Sequence, residues 1–148
     1  MTGKRLVLIV ENEEDIARLY AMLLEDAGYD VEIANTLTEG EARISQEPLP
    51  DCCLLDLILP NGQGVDLLDG FENRHPSTEV PIVAVTGYPV SVHAVKKAGA
   101  QALLQKPVSK EDLLATVKAI IEAGYCFDPS IRDVRELRAQ LIGARGSR

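Results

Sequence analysis

The stretch Asp51-Cys-Cys-Leu-Leu-Asp56-Leu-Ile-Leu-Pro60-Asn-Gly62-Gln-Gly64 decides the fold. Four apolar residues stand between two acids and a turn with Pro and Gly follows, so Cys52–Asp56 reads as a buried strand. Asp56 then sits where the chain leaves the sheet, on rigid backbone and facing a crevice. A carboxylate in that place can ligate a metal, act as a base, or attack phosphorus as a nucleophile. Alone, an Asp at a strand end more often caps a turn. The meaning of Asp56 therefore depends on what the other strands bring to the same edge.

Working outward, the flanking segments alternate between strand and helix signals. Arg5-Leu-Val-Leu-Ile-Val10 is an apolar, β-branched run without alternation, the pattern of a strand buried on both faces of a parallel sheet. Asn12 suits a helix N-cap and the acids after it suit the positive end of a helix dipole. Ile16, Leu19, Tyr20, Leu23, Leu24 and Ala27 form one helical stripe, which Gly28 ends. Asp30–Ala34 alternates as an edge strand, and 35–46 reads as a weaker helix. On the other side, the spacing predicts a helix over 64–74, a fourth strand over 80–86 and a helix over 90–98 stopped by Gly99. A fifth strand over 102–104 and a last helix, capped by Ser109 and running to Ala123, complete the pattern. Five strands alternating with five helices imply an α/β fold: a parallel, doubly wound sheet with right-handed crossovers.

The 148 residues suffice for one domain with a proper core. No apolar run approaches membrane-spanning length, and the first strand is too short for a signal-peptide apolar region, so a cytoplasmic protein with no membrane partner is expected. Cys52, Cys53 and Cys126 lack metal-ligand spacing and read as reduced thiols. A net charge of −8 argues against nucleic acid as a direct partner. The charge is uneven, because residues 125–148 carry five Arg against three acids, net +2, leaving −10 for residues 1–124.

In doubly wound sheets, function sits at the carboxyl ends of the strands. Here those ends carry Glu11 and Asn12, Asp56, Thr86 and Lys106. Carboxylates with a carbonyl group suit Mg²⁺, which takes a few protein oxygens and keeps waters and phosphate oxygens. A Lys with a hydroxyl beside it suits a phosphoryl group. Together they describe phosphoryl transfer onto Asp56. Taken singly, Glu11 could be a helix-terminal charge, Thr86 a β-favouring strand residue and Lys106 a solvated loop residue.

With these residues in place, the sequence resembles the receiver domains of two-component response regulators. The matching residues are Val10-Glu-Asn-Glu13, Asp56 with Leu59-Pro60 and Gly64, Ile82-Val-Ala-Val-Thr86-Gly87, Gly99-Ala100 and Lys106-Pro107. The resemblance covers roughly residues 5–124 and implies a flavodoxin-like sheet of strand order 2-1-3-4-5. It implies that Asp56 is the phosphoacceptor for a sensor histidine kinase or histidine phosphotransfer protein. Thr86 and Lys106 would bind the phosphate, and the Lys106-Pro107 peptide would be cis. Mg²⁺ would be held by Glu11, Asp56 and the backbone carbonyl of Ile58. Such a domain is a signalling phosphoacceptor and not an enzyme, its chemistry confined to its own phosphoryl group. A homodimer, through the face of the fourth helix, fifth strand and fifth helix or through a C-terminal helix, is one expected assembly.

Three departures from the family pattern bear on function. Asn12 stands where a direct metal ligand is expected and offers at best a neutral oxygen or a water-mediated contact. Leu103 stands where an aromatic switch residue is usual, so propagation from Thr86 must use backbone and loop movement after Tyr88. Asn61 and the glycines around Gln63 make a permissive loop. Ile58 and Tyr88 should flank the approach of water to the phosphoryl group, and neither can orient water, so slow hydrolysis is expected. Two other readings compete. One is a receiver-like interaction module not using phosphorylation, favoured by Asn12 and Leu103. The other is a hydrolase with an Asp nucleophile, which needs a second acid two residues on, where this chain has Ile58.

Residues 1–124 thus read as the receiver domain and 125–148 as an extension or linker. Asp128-Pro129 suits an N-cap and first helical position for a helix over 129–142. Ile131, Val134, Leu137 and Leu141 would form its narrow apolar seam. That seam could dock on the domain, pair with a second copy, or lead into a further domain.

Overall fold

The apolar run over 52–55 is buried on both faces, as a central parallel strand must be. The computed structural model describes residues 3–44, 46–59, 62–68, 80–123 and 132–146. In chain order the first elements are β1 (Leu6–Val10), α1 (Glu14–Asp26), β2 (Asp30–Ala34), α2 (Leu37–Ile44) and β3 (Cys52–Asp56). A short pair, β4 (Ile58–Leu59) and β5 (Gly62–Gln63), precedes α3, described over 65–68. Then come β6 (Ile82–Thr86), α4 (Val92–Lys97), β7 (Ala102–Gln105), α5 (Lys110–Ala123) and α6 (Arg135–Gly146). The main sheet has the order β2-β1-β3-β6-β7 with every neighbour parallel, which is 2-1-3-4-5 when its strands are numbered alone. β2 is an edge strand, as its alternation suggests.

Alternation along β3 divides the core in two. Cys53 and Leu55 join Leu8, Val10, Ile82 and Ala84 under α2, α3 and α4. Cys52 and Leu54 join Val7, Ile9, Val83 and Val85 under α1 and α5. Both cysteines are free thiols, and burial pushes Cys52 up to about 12. Leu137 and Leu141 of α6 are fully buried in the layer that holds α4, with Val134 packed against it. Docking is therefore what the C-terminal seam does here. Among the described residues no helix is long and apolar enough to cross a membrane.

Several local expectations need correction. Asn12 does not cap α1; the N-cap is Glu13, which makes no capping side-chain hydrogen bond and whose own N–H donates to the Glu11 carboxylate. Leu19 is half exposed and Ala27 exposed, while Ala17 and Ala21 are buried, small side chains that let α1 lie close to the sheet. α2 starts only at Leu37, where Thr36 Oγ1 accepts the Glu39 N–H. α4 starts at Val92, because Ser91 is its N-cap and accepts the Ala94 N–H. Ser109 accepts the Asp112 N–H at the head of α5, as read from the sequence. Residues 132–134 are not helical, and α6 begins where Asp133 accepts the Arg135 N–H. Residues 124–131, with Asp128-Pro129 and Ile131, lie outside the described residues, as do 69–74 of the helix expected over 64–74. The loop after Asp56 is not merely permissive: Ile58 pairs with Gln63 and Leu59 with Gly62 in a small antiparallel ladder. The Lys106-Pro107 bond is cis as expected, and Glu47-Pro48 is cis as well.

Candidate functional site

Parallel register aligns the carboxyl ends of β1, β3, β6 and β7, and the residues leaving them converge. Among the described residues the buried polar or charged side chains are Glu11, Asp56 and Thr86, at 2%, 5% and 1% exposure, and all three lie at this edge. Buried carboxylates demand compensation. Lys106 supplies it: its Nζ lies 2.8 Å from Glu11 Oε1 and 3.0 Å from Asp56 Oδ2, so one ammonium bridges two acids. The second oxygens are satisfied by backbone. Glu11 Oε2 accepts the Glu13 N–H at 3.2 Å, and Asp56 Oδ1 accepts the Ile58 N–H at 2.9 Å. Thr86 Oγ1 accepts the Tyr88 N–H at 3.1 Å.

Local backbone explains why these side chains meet. The Lys106 N–H donates to the Thr86 carbonyl at 2.9 Å, which carries the β6–β7 pairing one residue beyond the strands. The Gly64 N–H donates to the Leu57 carbonyl at 2.8 Å. A Cβ at Gly64 would lie 2.2 Å from the Asp56 carbonyl oxygen, so only glycine lets the start of α3 press against the end of β3. That tight return holds Asp56 at the mouth of the sheet.

Burial is the main force on the Asp56 carboxyl and raises it to about 6, with the Ile58 N–H opposing, Glu11 adding and Lys106 opposing. Burial alone would lower the Lys106 ammonium, but the hydrogen bonds and charges of Glu11 and Asp56 hold it above its usual value. A crevice of about 430 Å³ opens over this cluster, lined among others by Asn12, Glu13, Asp56, Ile58, Tyr88 and Lys106. Asn12, Ile58 and Tyr88 thus face it as the sequence suggested. Leu103 instead packs, half-buried, against the layer holding α4. Glu13 is a lining residue that sequence reasoning did not single out; its signal was an acid next to Asn12 in the turn leaving β1. Among the described residues no three His, Cys, Asp or Glu side chains gather as a metal cluster. A cation here would have to combine the Glu11–Asp56 pair with neutral oxygens.

A doubly wound parallel sheet carrying two buried acids, a lysine and a threonine at its carboxyl edge defines a CheY-like receiver. The chain belongs to the response regulator receiver domain family, whose model matches residues 7–118. It is 35% identical over 106 residues to the response regulator protein PilR of Pseudomonas aeruginosa, covering 72% of this chain and 24% of PilR. It is 34% identical over 125 residues to the photosynthetic apparatus regulatory protein RegA of Rhodovulum sulfidophilum, covering 83% of this chain and 65% of RegA. The chain therefore spans less than two-thirds of the length of these curated relatives. Among solved structures, a CheY-like receiver domain protein of Methanospirillum hungatei JF-1 superposes with a TM-score of 0.74 at 33% identity. That match covers 82% of this chain and 96% of the other.

Proposed function

We propose that Asp56 accepts a phosphoryl group from the phosphohistidine of a sensor kinase or phosphotransfer protein in the cytoplasm, and that the modified domain alters its protein contacts. One observation carries this reading: two buried carboxylates bridged by Lys106 beneath an open crevice. A core gains nothing from such a cluster, since replacing buried charges by apolar side chains is commonly neutral or stabilising. An Asp56 oxygen attacks phosphorus, the phosphorus–nitrogen bond breaks, and the histidine leaves with its electron pair. Lys106 and the Thr86 hydroxyl then face the phosphoryl oxygens and stabilise their charge.

The donor chemistry also fits Mg²⁺, which would be held by Glu11, Asp56, the Ile58 carbonyl and, weakly or through water, Asn12. When bound, the cation supplies Lewis-acid neutralisation of charge on the phosphoryl oxygens. With leucine at 103, signal leaves Thr86 through the loop at Tyr88 and not through an aromatic rotamer. Ile58 and Tyr88 line the crevice and carry no group that orients water, which supports a long-lived phosphoryl group.

Intact mass after incubation with a small phosphodonor and Mg²⁺ tests the reading. The parent should gain about 80 Da, one phosphoryl group on a carboxylate, and Asp56→Asn should gain nothing. The adduct should decay faster in Ile58→Asn and Tyr88→Glu than in the parent. No gain at any Mg²⁺ concentration would support the interaction module, and turnover of many donor equivalents would support a hydrolase.

A further inference from the structure

Helix α6 and the residues leading into it touch α3 and α4, the helices that follow the site strands β3 and β6. On the β6 side, the Ser91 N–H donates to Gln140 Oε1 at 2.8 Å, and Gln140 Nε2 donates to Ser91 Oγ at 3.2 Å. That same Oγ caps α4 through the Ala94 N–H. At the other end of α4, the Asp133 N–H donates to the Lys97 carbonyl at 2.8 Å, and Lys97 lies 3.7 Å from Glu136. On the β3 side, Arg138 pairs with Asp66, and Arg132 Nη1 donates to the Leu68 carbonyl at 2.8 Å. Leu137 and Leu141 are buried in the same layer as Leu67 and Leu68 of α3 and Ala94 and Val95 of α4.

A helix held in this way measures the spacing between the segment after Asp56 and the segment after Thr86. Only residues 87–90 separate Thr86 from the Ser91 cap. A phosphoryl group on Asp56 offers Thr86 new acceptor oxygens, and drawing Thr86 and Tyr88 toward them moves Ser91 relative to α3. Gln140 cannot follow Ser91 while Arg138 and Arg132 stay fixed on Asp66 and Leu68. One set of contacts must break. Docking and phosphorylation are then negatively coupled, and coupling between two sites is reciprocal.

We propose that α6 is a displaceable helix, docked across α3 and α4 in the unphosphorylated chain and released when Asp56 is phosphorylated. The inference rests on the phosphoacceptor reading. Its release exposes a seam of Val134, Leu137 and Leu141, continuous with Ile142, which is already 63% exposed. The cis contact therefore keeps the seam covered until Asp56 is modified.

Hydrogen exchange of the α6 amides, measured on the full chain alongside intact mass, tests this. In fully phosphorylated protein the amides of residues 137–142 should exchange about tenfold faster, within the usual range of coupling between sites. Asp56→Asn treated with the same donor should show no change. Gln140→Ala, at a half-buried side chain outside the core, should loosen α6 without any donor and shift the phosphoryl-transfer equilibrium toward the phosphorylated form by a similar factor. Complete phosphorylation with α6 exchange unchanged or slowed would overturn the release while leaving the phosphoacceptor reading intact. So would Gln140→Ala with loosened α6 and an unaltered phosphorylation equilibrium. No mass gain at all would overturn both.

Discussion

A carboxylate buried as deeply as Asp56 is held in its charged form by few neighbours, and its proton is correspondingly hard to remove. Its carboxyl is raised from 3.8 to about 6, chiefly by burial. The folded state therefore binds this proton more tightly than the unfolded state does. Its contribution to stability is full below about pH 4 and is lost as pH rises through about 6. In metal-free protein, Asp56→Asn should raise stability at neutral pH by about 1–3 kcal/mol, on the scale of roughly 1.4 kcal/mol per pKa unit. The gain should fade toward pH 4. Urea denaturation of parent and variant between pH 4 and 7 measures this, and a difference that stays flat with pH would refute it. Asn12 sets the second expectation. Restoring a carboxylate there adds a unit of attraction for a divalent cation, worth a few kcal/mol at about 4 Å near a surface before compensation. Asn12→Asp should tighten Mg²⁺ binding by about tenfold or more in calorimetric titration. An unchanged isotherm would show that position 12 does not reach the cation.

Among elements, the return from β3 into α3 is the one on which the site depends. Its ladder β4–β5 and the contact at Gly64 place Asp56 before any ligand arrives. Gly64→Ala puts a Cβ 2.2 Å from the Asp56 carbonyl oxygen, so the loop must shift. Overpacking of this kind costs about 1–3 kcal/mol, and the displaced carboxylate should accept phosphoryl groups at least tenfold more slowly. Gly87→Ala is the control, because its Cβ would meet only Lys106 Cβ, at an ordinary 3.8 Å. Equal behaviour of the two variants, in melting temperature and in acceptance rate, would remove the argument from close approach.

At the scale of the molecule, β3 ties the two core layers into one cooperative unit. Cys52 faces the layer under α1 and α5, and Cys53 the layer under α2 to α4, both at 0% exposure. Burial also holds both thiols above their usual range, so neither is a ready thiolate. Alkylation of these two residues, followed by peptide mass, should proceed at the rate of global unfolding and respond equally for both. Faster labelling of Cys53 alone would mean that the α2-to-α4 layer opens by itself.

The sequence by itself did not show the small β4–β5 ladder, but it determined the five strands of the main sheet, their order through the family resemblance, and the identity of the acid, the hydroxyl and the lysine. These were legible because β-branched runs and strand-end polar residues are local signals, and the parallel topology carries all strand ends to one edge. Asn12 is not the cap because the helix begins one residue later, with Glu13 at the cap position and its own N–H donated to the Glu11 carboxylate. The acid at Glu13 was visible beside Asn12, but that it lines the crevice, and that Gly64 closes on a carbonyl, are facts about chain segments meeting in space. The same holds for α6. Its apolar seam could be read from spacing, but three destinations were open to it. Only tertiary structure, by pairing Gln140 with Ser91 and Arg138 with Asp66 around two buried leucines, decided that it docks across α3 and α4.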